Sequence, residues 1–578
     1  MQSESFIVGK DASLESTIGR LQDRLTTLGF DIEERSWLNP VDGIWSVHVR
    51  DRDCPLMFTN GKGATKLAAL ASALGEYFER LSCNYFWSDF YLGRDYAEGD
   101  GRPFVHYPQE KWFAHEPEGS WPQQLLNPEL HKFYNPNGNI PAGALVDFNS
   151  GHAGRGICAI PYVRLRDGQV AYIPVNVIGN LYVSNGMSAG NTVNEARAQA
   201  LSEVYERFIK FRIISEGLCL PDVPGHVLAR YPRIVAGIEG LRAAGYGILV
   251  KDASLGGRFP VMNVTLLHPQ DQGCFASFGA HPRFEIALER ALTELLQGRA
   301  LDQLEGFPEP GFDLDEVASA PNIEIHFVDS SGIISWQFLA DKPDFEFCDW
   351  NFATSTAQDY QWLVDSIHAG GHDIYVADFD HLGVYACRIL VPGMSEIYPV
   401  DELEWENNSV AIPFREALLN LPDLDVDECA DLLDGLNDSS LADARLVSTV
   451  IGLAPGDDPY WLDARVGELK TQLALACGNE ASITEGLEWI RYFEEINPDR
   501  RRVYRCIESL VGLRGDTGCD DALVLMYGEP TLARARAMLA GNECFAGVAA
   551  PGLSLVGCDM HQRLLAGYGK LHAPAGAA

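Results

Sequence analysis

The feature that most constrains this chain is a unit that occurs three times. A glycine-bearing loop, expected to follow a strand, leads into a helix with an acid and a second acid or amide three residues on. The first copy runs Gly61-Lys62-Gly63-Ala64-Thr65 into Ser72-Ala73-Leu74-Gly75-Glu76-Tyr77-Phe78-Glu79-Arg80. The second runs Asn185-Gly186-Met187-Ser188-Ala189-Gly190-Asn191 into Leu201-Ser202-Glu203-Val204-Tyr205-Glu206-Arg207. The third runs Phe278-Gly279-Ala280-His281 into Glu289-Arg290-Ala291-Leu292-Thr293-Glu294-Leu295-Leu296-Gln297. Residues three apart share a helix face, so each pair aims its oxygens the same way. Leu70, Leu74 and Phe78 surround the first pair, and Leu201, Val204, Tyr205 and Phe208 the second. So apolar a setting predicts carboxylates at least half buried, which repel one another unless paired or metal-bound.

One such pair is commonplace and structural. Three, each behind a glycine-bearing loop, point to convergence on one site. Converging Glu oxygens suit a hard divalent cation. Arg80, Arg207 and Arg290, with Lys10 and Arg20, supply positive charge. Carboxylates, Mg²⁺ and Arg/Lys together suit a nucleoside triphosphate: the metal bridges carboxylate and phosphate, and guanidinium groups take the remaining phosphate charge. A di-iron carboxylate centre is the rival, but that chemistry normally uses Glu-x-x-His pairs. No His stands three residues after these glutamates, and His281 reads as a loop or helix-start residue. The Gly61-Lys62-Gly63 loop lacks the G-x-x-x-x-G-K-[ST] spacing of a Walker A motif. It reads as a tight strand-to-helix connection or as backbone amides at a helix N-terminus facing an anion. No G-x-S-x-G motif and no recognisable Cys–His spacing marks a hydrolase triad.

At 578 residues the chain has room for two to four domains. Its 44 basic and 81 acidic residues give a net charge of −37, which repels nucleic acid and anionic membranes and favours basic partners, ribosomal proteins among them. Thirteen cysteines without a C-x-x-C read as reduced thiols rather than disulfides or zinc ligands. Residues 1–10 hold no apolar signal core and no run of ~18 apolar residues occurs, so a soluble cytoplasmic protein is expected.

Leu14, Ile18, Leu21, Leu25 and Leu28 predict an amphipathic helix over 12–29 with Gly29 as C-cap. Strands are expected at 45–49, 55–59, 157–165, 170–178, 248–252, 261–267, 323–328, 374–377 and 384–391, with helices between them. That pattern makes residues 1–400 an α+β or mixed α/β domain. Over 401–443 the sole basic residue is Arg415, so 401–445 reads as an acidic linker or helical region. Residues 446–578 read as helices alone. Trp461, Leu462, Val466, Leu469 and Leu473 mark one helix, Leu487, Ile490, Tyr492 and Phe493 a second, and Ile507, Leu510 and Leu513 a third. Turns at Gly478-Asn479, Asn497-Pro498 and Arg514-Gly515 separate them, as in tetratricopeptide-like hairpins or a plain bundle. The Ala-rich tail, 572–578, is expected to fray.

These motifs resemble the YcaO family. The match runs from Phe6-Ile7-Val8-Gly9-Lys10-Asp11 through Thr59-Asn60-Gly61-Lys62-Gly63 and Ser72-x-x-x-Glu76-x-x-Glu79-Arg80. It continues through Asn185–Asn191, Glu203-x-x-Glu206-Arg207 and Arg290-x-x-x-Glu294, and ends at Val391-Pro392-Gly393-Met394. The resemblance implies a YcaO-type ATP-binding domain of mixed sheets and helices, followed by an all-α, tetratricopeptide-like C-terminal domain. It implies ATP and Mg²⁺ as cofactors, with Lys10, Thr17, Arg20, Ser72, Glu76, Glu79, Asn191, Glu195, Glu203, Glu206, Arg207, Arg290 and Glu294 at the nucleotide. Of these, Glu76, Glu79, Glu203 and Glu206 are implied to hold the metal.

Family members use ATP to activate a backbone amide oxygen, for azoline or thioamide formation. Azoline-forming members typically end in Pro-x-Pro-x-Pro, whereas here the end is His572-Ala573-Pro574-Ala575-Gly576-Ala577-Ala578, and no leader-peptide-binding domain is fused. The expectation is therefore not an autonomous azoline cyclodehydratase. The resemblance implies an accessory factor for β-methylthiolation of an aspartate in the twelfth small-subunit ribosomal protein. Its implied partners are that protein, a radical methylthiotransferase and a second copy of the chain. A non-catalytic scaffold working through the C-terminal helices is the alternative.

Overall fold

Residues 4–97, 104–513 and 517–572 are described by the computed structural model. Strands β1 (Ile32–Val41), β2 (Ile44–Asp51) and β3 (Phe58–Gly63) form an antiparallel meander. A second sheet begins with β4 (Lys111–Phe113), β5 (Ile157–Arg164), β6 (Val170–Pro174) and β7 (Met187–Ala189). The third sheet is β8 (Gly247–Asp252), β9 (Val261–Leu267) and β10 (Cys274–Ala280), with β9 in the middle. Two later strands, β11 (Tyr375–Phe379) and β12 (Ala386–Leu390), complete the second sheet in the order β4-β5-β11-β12-β7, with β6 paired to β5.

Helices α1 (Leu14–Thr27) and α2 (Lys66–Ser82) pack together, with α2 lying on β2 and β3. Helix α3 (Val193–Ser215) runs between the second and third sheets, and α4 (Phe284–Leu295) covers β9 and β10. The expected first helix forms as read. Ser13 caps it, Leu14, Ile18, Leu21 and Leu25 are buried, and Gly29 follows its end at φ +85°. The starts of α2 and α3 use one device, a threonine N-cap: Thr65 accepts from Ala68 N, and Thr192 from Glu195 N.

The glycines of the repeated unit sit largely in strands rather than loops. Gly61 and Gly63 belong to β3 and Gly279 to β10. A Cβ on Gly61 would stand 2.1 Å from Ala69 O and 2.5 Å from Ala73 N of α2. One on Gly279 would stand 2.4 Å from Ala291 N and 2.5 Å from Ala287 O of α4. Each helix lies directly on its strand's backbone, and only glycine leaves that room. The tight connection is thus what Gly61 and Gly63 provide.

The strand expected at 323–328 is instead part of helix α5 (Ala320–Val328). Its buried face is polar: Asn322 and His326, four residues apart, are buried, while Ile325 and Val328 are exposed. Asn322 Nδ2 donates to Val317 O and Ile333 O, so an apolar run read alone points the wrong way. The strand expected over 170–178 stops at Pro174, where the chain turns into short helices. The one expected at 55–59 starts only at Phe58, and β1 was not anticipated.

Within the acidic region, the helix Val426–Asp438 opens on a capping box, Asp425 with Glu428, and buries Cys429, Leu432, Leu433 and Leu436 while most of its acids face out. Arg415 is buried and donates to Ile451 O and Phe148 O. Helices Val466–Cys477, Glu480–Tyr492 and Pro498–Gly512 follow, the first ended by Gly478 and the others capped by Asn479 and Asn497. Trp461 and Leu462 precede the first of them. The expected turn at Arg514-Gly515 and the tail beyond His572 lie outside the described residues.

Leu25 and Leu70 share one hydrophobic cluster with Leu433, Leu469 and Tyr568, so the core continues from α1 and α2 into the C-terminal helices. Trp87 Nε1 donates to Leu564 O across the same seam. All thirteen cysteines are free. No helix among the described residues is long and apolar enough to cross a membrane.

Candidate functional site

A cavity of about 920 Å³ opens where α1, α2, α3, α4, β3, β7 and segment 6–10 meet. At one end, Thr17 Oγ1 and Arg20 Nη2 both donate to Asn191 Oδ1, at 3.0 and 2.9 Å. Asn191 Nδ2 donates to Glu195 at 3.1 Å. The Glu195 carboxylate also accepts from Asp11 N at 3.0 Å and pairs with Lys10 Nζ at 3.3 Å. Glu195, in the first turn of α3, is only 5% exposed. This knot ties the N-terminal segment to α1 and α3. Ser72 lies on α2 at the exposed rim.

The acidic helices carry their own counter-ions. One turn after each acid, Arg80 pairs with Glu76 at 2.7 Å and Arg207 with Glu203 at 2.8 Å. Arg290 of α4 crosses to Glu206 of α3 at 3.5 Å. Lys62 of β3 contacts the Glu294 carboxylate. Glu79 takes no ion pair among the described residues. The side chains of these paired glutamates range from 16% exposed at Glu206 to 32% at Glu294, so all are more than half buried.

Burial pushes Glu79 well above the usual carboxylate range, and Glu203 and Glu76 beside it push the same way. Burial, with Arg290 nearby, brings Lys62 down to about 8 against the pull of Glu206, Glu76 and Glu203. Burial also holds His281 well below its ordinary value, reinforced by Arg290, Arg283 and Lys10.

The thirteen residues drawn from the sequence all line this one cavity. Gln297 does not extend its helix face, because α4 ends at Leu295; its side chain donates to Asn60 O instead. Lys62 and Gln199 line the cavity as well, outside those thirteen. Gln199 Oε1 accepts from Arg290 Nη1 at 2.6 Å. A lysine flanked by two glycines was the available signal for Lys62.

Mg²⁺ and a polyphosphate fit these residues. Arg290 Nε is buried with no hydrogen-bond partner among the described residues, a donor without an acceptor. Glu79, crowded by Glu76 and Glu203, has no ion pair of its own among the described residues, although Arg80 and Arg207 are near enough to offset part of the repulsion. An anion satisfies the first and a divalent cation the second.

The family model described as YcaO cyclodehydratase, ATP- and Mg²⁺-binding, matches residues 60–395, and that of the YcaO cyclodehydratase C-terminal domain matches residues 411–575. The chain belongs to the YcaO family. It is 49% identical to the ribosomal protein S12 methylthiotransferase accessory factor YcaO of Escherichia coli, over 98% of both chains. An uncharacterised protein of Haemophilus influenzae is 48% identical over 99% of this chain and 98% of its own. Among solved structures, YcaO from Methanopyrus kandleri bound with AMPPCP and Mg²⁺ is 19% identical, covers 68% of this chain and 95% of its own, and has a TM-score of 0.43. As a YcaO protein the chain carries the family's ATP- and Mg²⁺-binding domain, and its C-terminal helices are the family's C-terminal domain.

Proposed function

We propose that the chain binds Mg·ATP in this cavity and acts as an accessory factor in β-methylthiolation of an aspartate of a small-subunit ribosomal protein. The convergence of acids and cations from four helices on one cavity of about 920 Å³, a size suited to a small-molecule ligand, carries the reading. The name of the relative that is 49% identical over nearly the whole chain supports the biological role.

In this reading Lys10, Thr17, Arg20, Ser72, Asn191 and Glu195 orient the nucleotide. Glu76, Glu79, Glu203 and Glu206 hold the metal, and Arg207, Arg290 and Glu294 organise the phosphate end. When bound, Mg²⁺ neutralises phosphate charge and polarises the phosphoryl group that is transferred. The Arg290 fork is fixed by Glu206 and Gln199 and keeps a buried, unpartnered Nε as a donor for developing negative charge. The expected chemistry is activation of an acceptor amide oxygen by ATP. The partners are the ribosomal protein and a radical methylthiotransferase, in the cytoplasm. A homodimer completes the reading, supported by the exposed Leu525 and Met526 on the helix Asp520–Tyr527.

The test is complementation of a deletion strain, read by mass spectrometry of the ribosomal protein. The parent restores the methylthio group, and E206A and R290A do not. Full restoration by variants that no longer bind ATP would replace this reading with a scaffold acting through the C-terminal helices.

A further inference from the structure

Lys62 occupies a position that the nucleotide reading leaves without a task. Strand alternation sends Gly61 and Gly63 toward α2 and turns Lys62 to the opposite face, where Asn60 O meets the Gln297 side chain just beyond α4. Its ammonium contacts Glu294 of α4 and shares the cavity with Glu206 and Glu203 of α3, Glu76 of α2 and Arg290 of α4, near enough to feel their charge. It is therefore a cation that feels acids from all three acidic helices.

Around it every acid but Glu79 is already neutralised: Glu76 by Arg80, Glu203 by Arg207, Glu206 by Arg290 and Glu294 by Lys62. A divalent ion entering alone must pull a carboxylate from one of these partners and leave a half-buried cation uncompensated. Phosphates change the balance, because they offer the displaced cations charge-assisted bonds of their own. Arg80 and Arg207 are each anchored by two N–H bonds to an acid on their own helix. Lys62 is a point charge on a flexible four-carbon stem with no second bond holding it to Glu294, so it is the cation that can swing most readily.

We infer that Lys62 is the resident counter-cation of these acids, and that it leaves Glu294 for the phosphates when nucleotide enters, withdrawing its charge from Glu76, Glu203 and Glu206, which then take the metal. The inference rests on the cavity being a Mg·ATP site. It makes Lys62 an obstacle to metal without nucleotide and an aid to metal with nucleotide.

The test measures Mn²⁺ binding without nucleotide and calorimetric binding of AMPPCP in excess Mg²⁺, for the full-length parent, K62M, K62Q and K62R. K62M and K62Q are expected to bind Mn²⁺ alone about tenfold more tightly and Mg·AMPPCP about tenfold more weakly, whereas K62R, whose fork stays on Glu294, is expected to bind Mn²⁺ alone like the parent and Mg·AMPPCP more weakly. Opposite signs in the two titrations distinguish this role from a structural one, because a misfolded variant loses both. Mn²⁺ affinity that is unchanged or reduced in K62M and K62Q, beside a parent that binds Mg·AMPPCP, overturns the Lys62 role alone. A parent that does not bind Mg·AMPPCP overturns the nucleotide reading beneath it.

Discussion

Arg290 of α4 crosses to α3, reaching Glu206 at 3.5 Å and Gln199 at 2.6 Å. Its Nε has no partner among the described residues. A planar guanidinium holds two residues of α3 through its Nη atoms and keeps Nε as a further donor, a spread that a compact ammonium does not reproduce. R290A is expected to weaken Mg·ATP binding by about a hundredfold, near 3 kcal/mol, and R290K to recover little of it. Calorimetry on the three proteins checks this, with circular dichroism to verify folding.

The close approach of β3 and α2 makes a second prediction. G61A puts a methyl group 2.1 Å from Ala69 O, so α2 must shift. We expect a loss of about 1–3 kcal/mol or more in stability together with weaker nucleotide binding, because Glu76 and Glu79 move with the helix. Gly19 of α1 has no atom within 4 Å of its added Cβ, and G19A should stabilise by about 0.5–1 kcal/mol. Thermal unfolding of both variants separates the two outcomes.

A buried pair away from the cavity sets a pH dependence. His106 Nε2 lies 3.0 Å from Asp147 Oδ1, and Asp147 also accepts from Ser150 N and Oγ. Burial alone would lower His106, but Asp147 outweighs it and raises the imidazole above its ordinary 6.5. Burial alone would raise Asp147, but His106 and Ser150 hold it below 3.8. The histidine's share of stability is therefore complete below about pH 6.5 and fades as pH climbs through its folded value. The aspartate's share is complete above about pH 4 and fades as pH falls through its lowered value. H106Q should cost about 3–5 kcal/mol at about pH 5.5, and less at about pH 9. Denaturant unfolding at the two pH values gives the comparison.

The C-terminal region holds a second buried network. Glu468, fully buried, accepts from Arg500 Nε at 2.6 Å, Arg500 Nη2 at 3.0 Å and Tyr504 Oη at 2.8 Å. E468A leaves Arg500 with Asp463 as its one acidic partner among the described residues and should destabilise by about 3–5 kcal/mol. Because core packing continues from these helices into α1 and α2, the loss should appear in a single unfolding transition rather than in a separate C-terminal one. Calorimetric scanning distinguishes one transition from two.

Much of this arrangement was legible where chemistry and periodicity agreed. The apolar repeat from Leu14 to Leu25 and the threefold recurrence of acid pairs are local signals, and the cavity gathers the residues they named. Legibility failed where tertiary contacts decided. Strand β1 carries Glu33, Glu34 and Arg35 and two register shifts against β2, so no two-residue alternation marks it. Helix α5 turns polar Asn322 and His326 inward because Ile333 O waits there, a partner invisible to a local window. Gly61 and Gly279 looked like loop residues because nothing in sequence announces a helix backbone 2–3 Å from a missing Cβ. Lys62 was passed over because its ring of acids comes from helices up to about 230 positions away.

The most direct test of the central claim is one calorimetric series: Mg·ATP titrated into the parent, E76A, E206A and E294A, one acid removed from each of three helices. We expect the parent to bind and each variant to lose affinity by about thirtyfold or more, since every substitution strips a buried cation of its partner and the metal or phosphate end of a contact. Three variants that bind Mg·ATP as the parent does would contradict a site built by all three helices.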